Sequence, residues 1–107
     1  MAEKHVIPHT LDPALARKVT DKAFETYAER FKEYSPTATW VTDTLSQISF
    51  QVKGLKLDGE LELKPNAVEL ELKKVPLLLR PFKGRAIQVI DEEIRGWIAK
   101  ANAGEID

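Results

Sequence analysis

Apolar residues recur every three or four positions in two long stretches of the chain, the spacing that places side chains on one face of an α-helix. The first stretch begins after Asp12 and Pro13, a pair typical of a helix N-terminus, and continues to Tyr34, where Ser35-Pro36 ends it. The second runs from Phe82 to Ala101, and its apolar stripe is wide enough to lie on a sheet. The pattern predicts an N-terminal helix and a longer C-terminal helix.

Between the two helices, apolar and polar residues alternate in the manner of strands that bury one face. Four such runs cover residues 37–42, 47–52, 55–64 and 68–73, with turn-forming residues between them. Residues 3–7 form a candidate fifth strand at an edge, which Pro8 would end. In the third run Gly59 faces inward. Because glycine has no side chain, this position predicts a gap that a large side chain, such as that of Trp40 or Phe82, could fill.

These elements predict one α+β domain. A four-stranded antiparallel meander, with the candidate fifth strand at its edge, would carry both helices on one face, because each element has only one face to bury. The chain of 107 residues is long enough for a single core, so we expect one domain over 1–107. We expect residues 102–107 to form a frayed tail.

Composition narrows the classes of function. The formal net charge of -1 argues against a dedicated nucleic-acid binder. The absence of cysteine excludes disulfides, thiol catalysis and thiolate metal sites. No apolar run has the length of a signal peptide core or a transmembrane segment, so the cytoplasm is the expected location.

Motifs typical of catalysis are missing from the sequence. The serines lack a nucleophile-elbow context, and there is no Gly-rich phosphate loop. His5 and His9 have a spacing that would suit a metal on a helix, but Pro8 lies between them, which favours a structural or surface role. We therefore expect a protein that is not an enzyme and that holds no metal and no cofactor.

The third predicted hairpin concentrates carboxylates on its outer face. If it turns at Pro65-Asn66, the outer cross-strand pairs are Glu62 with Glu69, Glu60 with Glu71, and Asp58 with Lys73. Like charges that face each other destabilise a sheet by some tenths of a kcal/mol. This acidic patch could hold a cation or a basic partner; the alternative is a solvated face that keeps the sheet soluble, which we favour.

The segment 75–85 combines apolar and cationic residues just before the second helix. Leu77, Leu78 and Leu79 are followed by Arg80, Lys83 and Arg85, with no acidic residue before Asp91. Cations near a helix N-terminus oppose the macrodipole, so an anionic partner would relieve them. The leucines could insert into an apolar surface while the cations meet anionic headgroups. Alternatively, the leucines close the open end of the core and the cations are merely exposed.

Three groups of residues carry a family resemblance. They are His9-Thr10-Leu11 with Ala16-Arg17, then Phe50, Gly54 and Gly59-Glu60-Leu61, and finally the run from Val75 to Gly84. From His9 to about Ile98 the chain resembles the polyhydroxyalkanoic acid system proteins, which are short bacterial proteins encoded beside genes for storage-polyester synthesis and granule surfaces. The resemblance implies a setting at polyester granules, with the granule surface or granule proteins as partners. It implies no catalytic residue.

Three functional hypotheses remain open. The first is an accessory protein, cytoplasmic and granule-associated, that docks on a granule or lipid surface through the 75–85 segment. The second is a carrier of an apolar or acyl ligand, bound between the sheet and the second helix by Trp40, Phe50, Phe82 and Trp97. The third is a homodimeric interaction module that buries Ile87, Ile98 or the leucines.

Overall fold

A five-stranded antiparallel sheet and two helices make up the computed structural model, which describes residues 4–106. The elements are β1 (His5–Pro8), α1 (Pro13–Arg30), β2 (Thr37–Trp40), β3 (Leu45–Val52), β4 (Leu55–Lys64), β5 (Ala67–Lys74) and α2 (Arg80–Asn102). Short 3₁₀ turns, Lys32–Tyr34 and Leu77–Leu79, follow α1 and precede α2. The predicted α+β architecture is confirmed.

The strands lie in the order β1-β5-β4-β3-β2. The meander predicted from the alternating runs is therefore present, and the candidate fifth strand adds to its edge beside β5. Within β1, His5 lies opposite Leu70 and Ile7 opposite Val68, so both side chains face the helices. Glu3, the first residue of the predicted strand, lies outside the described residues.

The core lies between the sheet and the two helices. Fully or almost fully buried side chains come from the strands (Ile7, Ile48, Phe50, Leu57, Leu61, Val68, Leu70, Leu72), from α1 (Val19, Ala23, Tyr27) and from α2 (Ala86, Ile90, Ile94). These are the inward positions of the period-two and helical patterns, as predicted. Burial raises the pKa of Tyr27 to about 12, so its hydroxyl stays neutral at physiological pH.

Helix α1 begins as predicted and ends earlier. The Asp12 carboxylate accepts a hydrogen bond from the Leu15 backbone N–H at 2.8 Å, so Asp12 is the N-cap. The α-helix ends at Arg30, whereas the pattern predicted a helix to Tyr34. Pro36 disfavours the right-handed helical conformation at the residue before it, and Ser35 is left-handed with φ 47°. The last predicted turn therefore tightens into the 3₁₀ turn.

The β4–β5 hairpin confirms most of the predicted register. Glu62 lies opposite Glu69, and Glu60 lies opposite Glu71. The prediction that Asp58 faces Lys73 is wrong, because a register shift between Asp58 and Gly59 sets Asp58 opposite Lys74. Such a bulge adds one residue to one strand and redirects the side chains beside it.

Gly59 does not leave the gap that was predicted for Trp40 or Phe82. A Cβ atom at Gly59 would lie 2.7 Å from the Glu71 carbonyl oxygen and 2.7 Å from Leu72 Cδ2. The neighbouring strand itself occupies the space, so the glycine permits a close approach of β4 and β5.

Other element boundaries also differ from the pattern: β1 includes Pro8, and β2 ends at Trp40 rather than at Thr42. Strand β3 begins at Leu45, inside the predicted 43–46 turn, because the Thr42 hydroxyl accepts from the Leu45 N–H at 3.0 Å and shortens the turn. Helix α2 begins at Arg80 rather than at Phe82. After α2, the Glu105 N–H donates to the Lys100 carbonyl at 2.8 Å, and Gly104 adopts φ 76°.

Candidate functional site

The 75–85 segment connects the end of β5 to the first turns of α2. Pro76 is extended, and the Leu79 N–H donates to its carbonyl at 2.8 Å, which closes the 3₁₀ turn. The N-cap of α2 is Leu79, which provides no side-chain hydrogen bond. Pro81 occupies the first turn of α2, where a missing N–H costs nothing because that donor has no partner within the helix.

The three leucines of the turn have different environments. Leu77 is 73 % exposed and Leu78 is 81 % exposed, whereas Leu79 is 3 % exposed and belongs to the core. A 3₁₀ turn has three residues per turn, so successive side chains point about 120° apart and only one of three can face the core. Leu79 therefore closes the end of the core, while Leu77 and Leu78 present apolar side chains to solvent.

Four cations accompany the exposed leucines. Lys74 ends β5, and Arg80, Lys83 and Arg85 lie in the first two turns of α2, within roughly 9 Å along the helix axis. Lys74, Arg80 and Arg85 are exposed, and Lys83 is half-buried. Within residues 4–106, none of the four forms an ion pair with a carboxylate, and the first turn of α2 has no acidic residue. The positive charge of this segment is not compensated by the described part of the chain. We call Leu77, Leu78 and these four cations the leucine–cation surface.

The acidic patch is largely neutralised by nearby lysines. The pairs are Lys4 with Glu69 (3.5 Å), Lys64 with Glu62 (3.5 Å) and Lys73 with Glu60 (2.9 Å), which leaves Glu71. The hydrogen bond to Glu60 raises the pKa of Lys73. In residues 4–106, no group of three or more His, Asp or Glu side chains is placed to hold a metal ion. Three of the four glutamates therefore pair with lysines, and within residues 4–106 none of the four forms an ion pair with a cation of the leucine–cation surface.

Of the four aromatic residues predicted for a ligand pocket, Phe50 and Phe82 lie at the two ends of one aromatic cluster that runs through Tyr27, Phe31 and Tyr34, whereas Trp40 and Trp97 contact cationic side chains. Phe50 is fully buried against Tyr27, Phe82 packs edge-on against Tyr34, Trp97 lies near Lys22 and Lys100, and Trp40 lies under Arg17. A void between the helices and the sheet, lined by Ala23, Leu61 and Ile94 among others, measures about 10 Å³, room for one water molecule at most. Ile98, a candidate for a dimer surface, is 8 % exposed and is covered by its own chain.

Two open depressions were not predicted from the sequence. A groove of about 480 Å³ lies beside the first turn of α1, between Leu11, Pro13, Leu63 and Pro65. A polar trough of about 400 Å³ crosses the outer face of the sheet near the bulge. Both depend on how distant loops and strands meet, so no local pattern indicates them. A small apolar ligand would find room in the groove rather than beneath α2.

The two histidines occupy structural positions. The imidazole of His5 hydrogen-bonds to the Asp91 carboxylate at 2.7 Å, and Arg95 donates to the same carboxylate at 2.8 Å. His9 is buried, and its Nδ1 accepts from the Leu11 N–H at 3.1 Å. Burial raises the pKa of Asp91, but the hydrogen bonds from His5 and Arg95 outweigh it and hold that pKa below its usual value.

Comparison with known proteins identifies the family of the chain. A search of curated proteins finds no match. Among residues 4–106, neither helix combines the length and the hydropathy needed to cross a membrane. The family model described as "Putative polyhydroxyalkanoic acid system protein" matches residues 6–98, most of the chain. The chain therefore belongs to the polyhydroxyalkanoic acid system protein family.

Proposed function

We propose that this chain is a non-enzymatic accessory protein of the polyhydroxyalkanoate system that docks on the surface of a polyester granule or its lipid coat. The observation that carries the proposal is the exposure of Leu77 and Leu78, 73 % and 81 %, beside cations that lack a partner in the described chain. The family supplies the setting, since its name links the chain to this storage polyester. Docking would place the protein in the cytoplasm, at the granule.

The free energies expected for the leucines and the cations favour reversible docking. Burying one leucine side chain stabilises by about 2 kcal/mol, so Leu77 and Leu78 together contribute about 4 kcal/mol. That is too little for stable attachment by itself, given the entropy lost on association. Each cation held close to an anionic surface adds about 1 kcal/mol. Binding should therefore need both parts of the leucine–cation surface and should weaken at high salt.

The non-enzymatic part of the proposal is supported by the distribution of the perturbed ionisable groups. Tyr27 is shifted by burial in the core, Lys73 by an ion pair on the outer face of the sheet, and Asp91 by its partners between β1 and α2. Catalytic sites bring such groups together in one cleft, and these three lie in different parts of the fold.

The test is co-sedimentation with isolated granules and with vesicles that contain anionic phospholipid. We expect the double substitution Leu77→Ser, Leu78→Ser to lower the affinity about a hundredfold or more, while the circular dichroism spectrum stays unchanged. Val6→Ser is the matched control, because Val6 is 49 % exposed but lies on β1, away from the segment.

Two results would count against docking. Binding of the double variant at wild-type strength would show that the leucines do not contact the surface. If Val6→Ser lowered the affinity as much as the double substitution does, general hydrophobicity, and not this segment, would govern co-sedimentation.

A further inference from the structure

The two edges of the sheet differ in how they are protected. At the β1 edge, the His9 N–H donates to the Asn66 carbonyl at 2.9 Å. Since N–H directions alternate along a strand, the N–H groups of Ile7 and His5 also point at β5, and positions 6 and 8 point outward. Pro8 has no N–H, so within β1 only Val6 offers a donor to solvent. Proline on an edge is a common protection against pairing with another chain.

The β2 edge has no such protection. The Val41 N–H donates to the Leu45 carbonyl at 2.8 Å, so by alternation the N–H of Thr39 points at β3 as well. The N–H and C=O groups of Ala38 and Trp40 therefore point away from the sheet, and no described strand lies beyond them. Residues 37–40 include no proline and no charge.

This edge is complementary to itself. A two-fold axis through Thr39 would pair Ala38 with Trp40 of a second copy, so that each outward N–H meets an outward carbonyl. On the helix side, the small Ala38 would lie opposite the large indole of Trp40. On the outer side, Thr37 would lie opposite Val41, which is 54 % exposed in the single chain. Pairs of β-branched side chains stabilise neighbouring strands, and no like charges meet.

The indole of Trp40 is already held in place for such a contact. Its Nε1 donates to the Asp21 carboxylate at 2.8 Å, and the Arg17 guanidinium lies 4.1 Å from the ring centroid. Both partners are on α1, so the ring is fixed by its own chain before any second copy arrives. A side chain that is already ordered loses less conformational entropy when it is buried.

We infer that β2 is a self-association edge, at which a second copy of this chain pairs its own β2 antiparallel and continues the sheet. The inference rests on other observations than those for the leucine–cation surface, which lies at the end of β5 and the start of α2. A pairing of four-residue edges buries less area than a standard protein interface, so the dimer should form in the micromolar to millimolar range.

Sedimentation velocity over a range of concentrations tests the inference. The wild-type mass should rise from 12.1 kDa toward twice that value. Ala38→Pro should remain monomeric, because it removes an outward N–H without removing a bond to β3. Val6→Pro is the matched control: it removes the outward N–H of the other edge and should dimerise like the wild type.

A second variant covers the case in which Ala38→Pro fails to fold. Thr39→Lys would set two lysines against each other at the two-fold axis and should also abolish the dimer. Gln47→Lys is its control, since Gln47 is the exposed neighbour of Thr39 on β3. In the wild type, the amides of Ala38 and Trp40 should become protected from hydrogen exchange as concentration rises. Three results would overturn the inference. The wild-type chain could stay monomeric at every concentration, or Thr39→Lys could dimerise as strongly as the wild type. The third is that the amide of Val6, rather than those of Ala38 and Trp40, becomes protected from hydrogen exchange.

Discussion

At the scale of single residues, the distance between the backbones of β4 and β5 decides which substitutions are tolerated at Gly59. Gly59→Ala would place a Cβ atom 2.7 Å from the Glu71 carbonyl oxygen, a backbone atom that cannot rotate away. We expect the free energy of unfolding to fall by about 1–3 kcal/mol, the range for overpacking, as measured by urea denaturation.

The control for this prediction is another glycine. Gly96 lies inside α2, and a Cβ atom there would meet nothing within 4 Å. Gly96→Ala should therefore raise stability by up to about 1 kcal/mol through helix propensity. A Gly59→Ala variant as stable as the wild type would mean that β4 and β5 can separate without cost.

The sequence placed Gly59 on the inward face correctly but assigned the space beside it to the wrong side chains. Alternation along one strand reports which way a residue points. It does not report how close the neighbouring strand comes, and here the bulge between Asp58 and Gly59 sets that distance.

At the scale of elements, the 3₁₀ turn before α2 buries the side chain of Leu79 and exposes those of Leu77 and Leu78. Leu79→Ala should lower the free energy of unfolding by about 2–5 kcal/mol, because it leaves a cavity in the core. Leu78→Ala should change it by less than about 0.5 kcal/mol, because Leu78 is 81 % exposed. Thermal or urea denaturation of the two variants measures the difference.

If the free energy of unfolding fell equally in Leu79→Ala and Leu78→Ala, the result would contradict the exposure of Leu78 and therefore the proposed docking surface. The pair is closely matched, since both residues are leucines of the same turn whose side chains point in different directions.

At the scale of the whole molecule, Asp91 links the first strand to the last helix. Because its pKa is lower in the folded than in the unfolded chain, its ionised form stabilises the fold. That contribution is fully present above the unfolded pKa of about 4 and is lost as pH falls through the folded value. We expect Asp91→Asn to remove this part of the acid sensitivity.

Urea denaturation between about pH 6 and pH 2 measures the effect. The wild type should lose stability on acidification more steeply than Asp91→Asn does. Glu92→Gln is the control, because Glu92 is exposed and forms no ion pair within residues 4–106. Parallel pH profiles for the wild type and Asp91→Asn would show that the contact with His5 and Arg95 does not persist in solution.

The sequence by itself determined the elements of this protein and the composition of its surfaces. Periods of two and of about 3.6 residues follow from local backbone geometry, so strands, helices and inward positions could be predicted from the chain alone. The segment 75–85 was recognisable for the same reason, since its leucines and cations are neighbours in sequence.

Only the tertiary structure decided which of these residues are available to a partner. Leu79 is buried while Leu78 is exposed because a three-residue turn can direct one side chain into the core. Glu69 and Glu60 are paired because the start of β1 brings Lys4 to the first and the bulge brings Lys73 to the second. The outward amides of β2 follow from strand order, which depends on contacts between residues far apart in the chain and which no local pattern specifies.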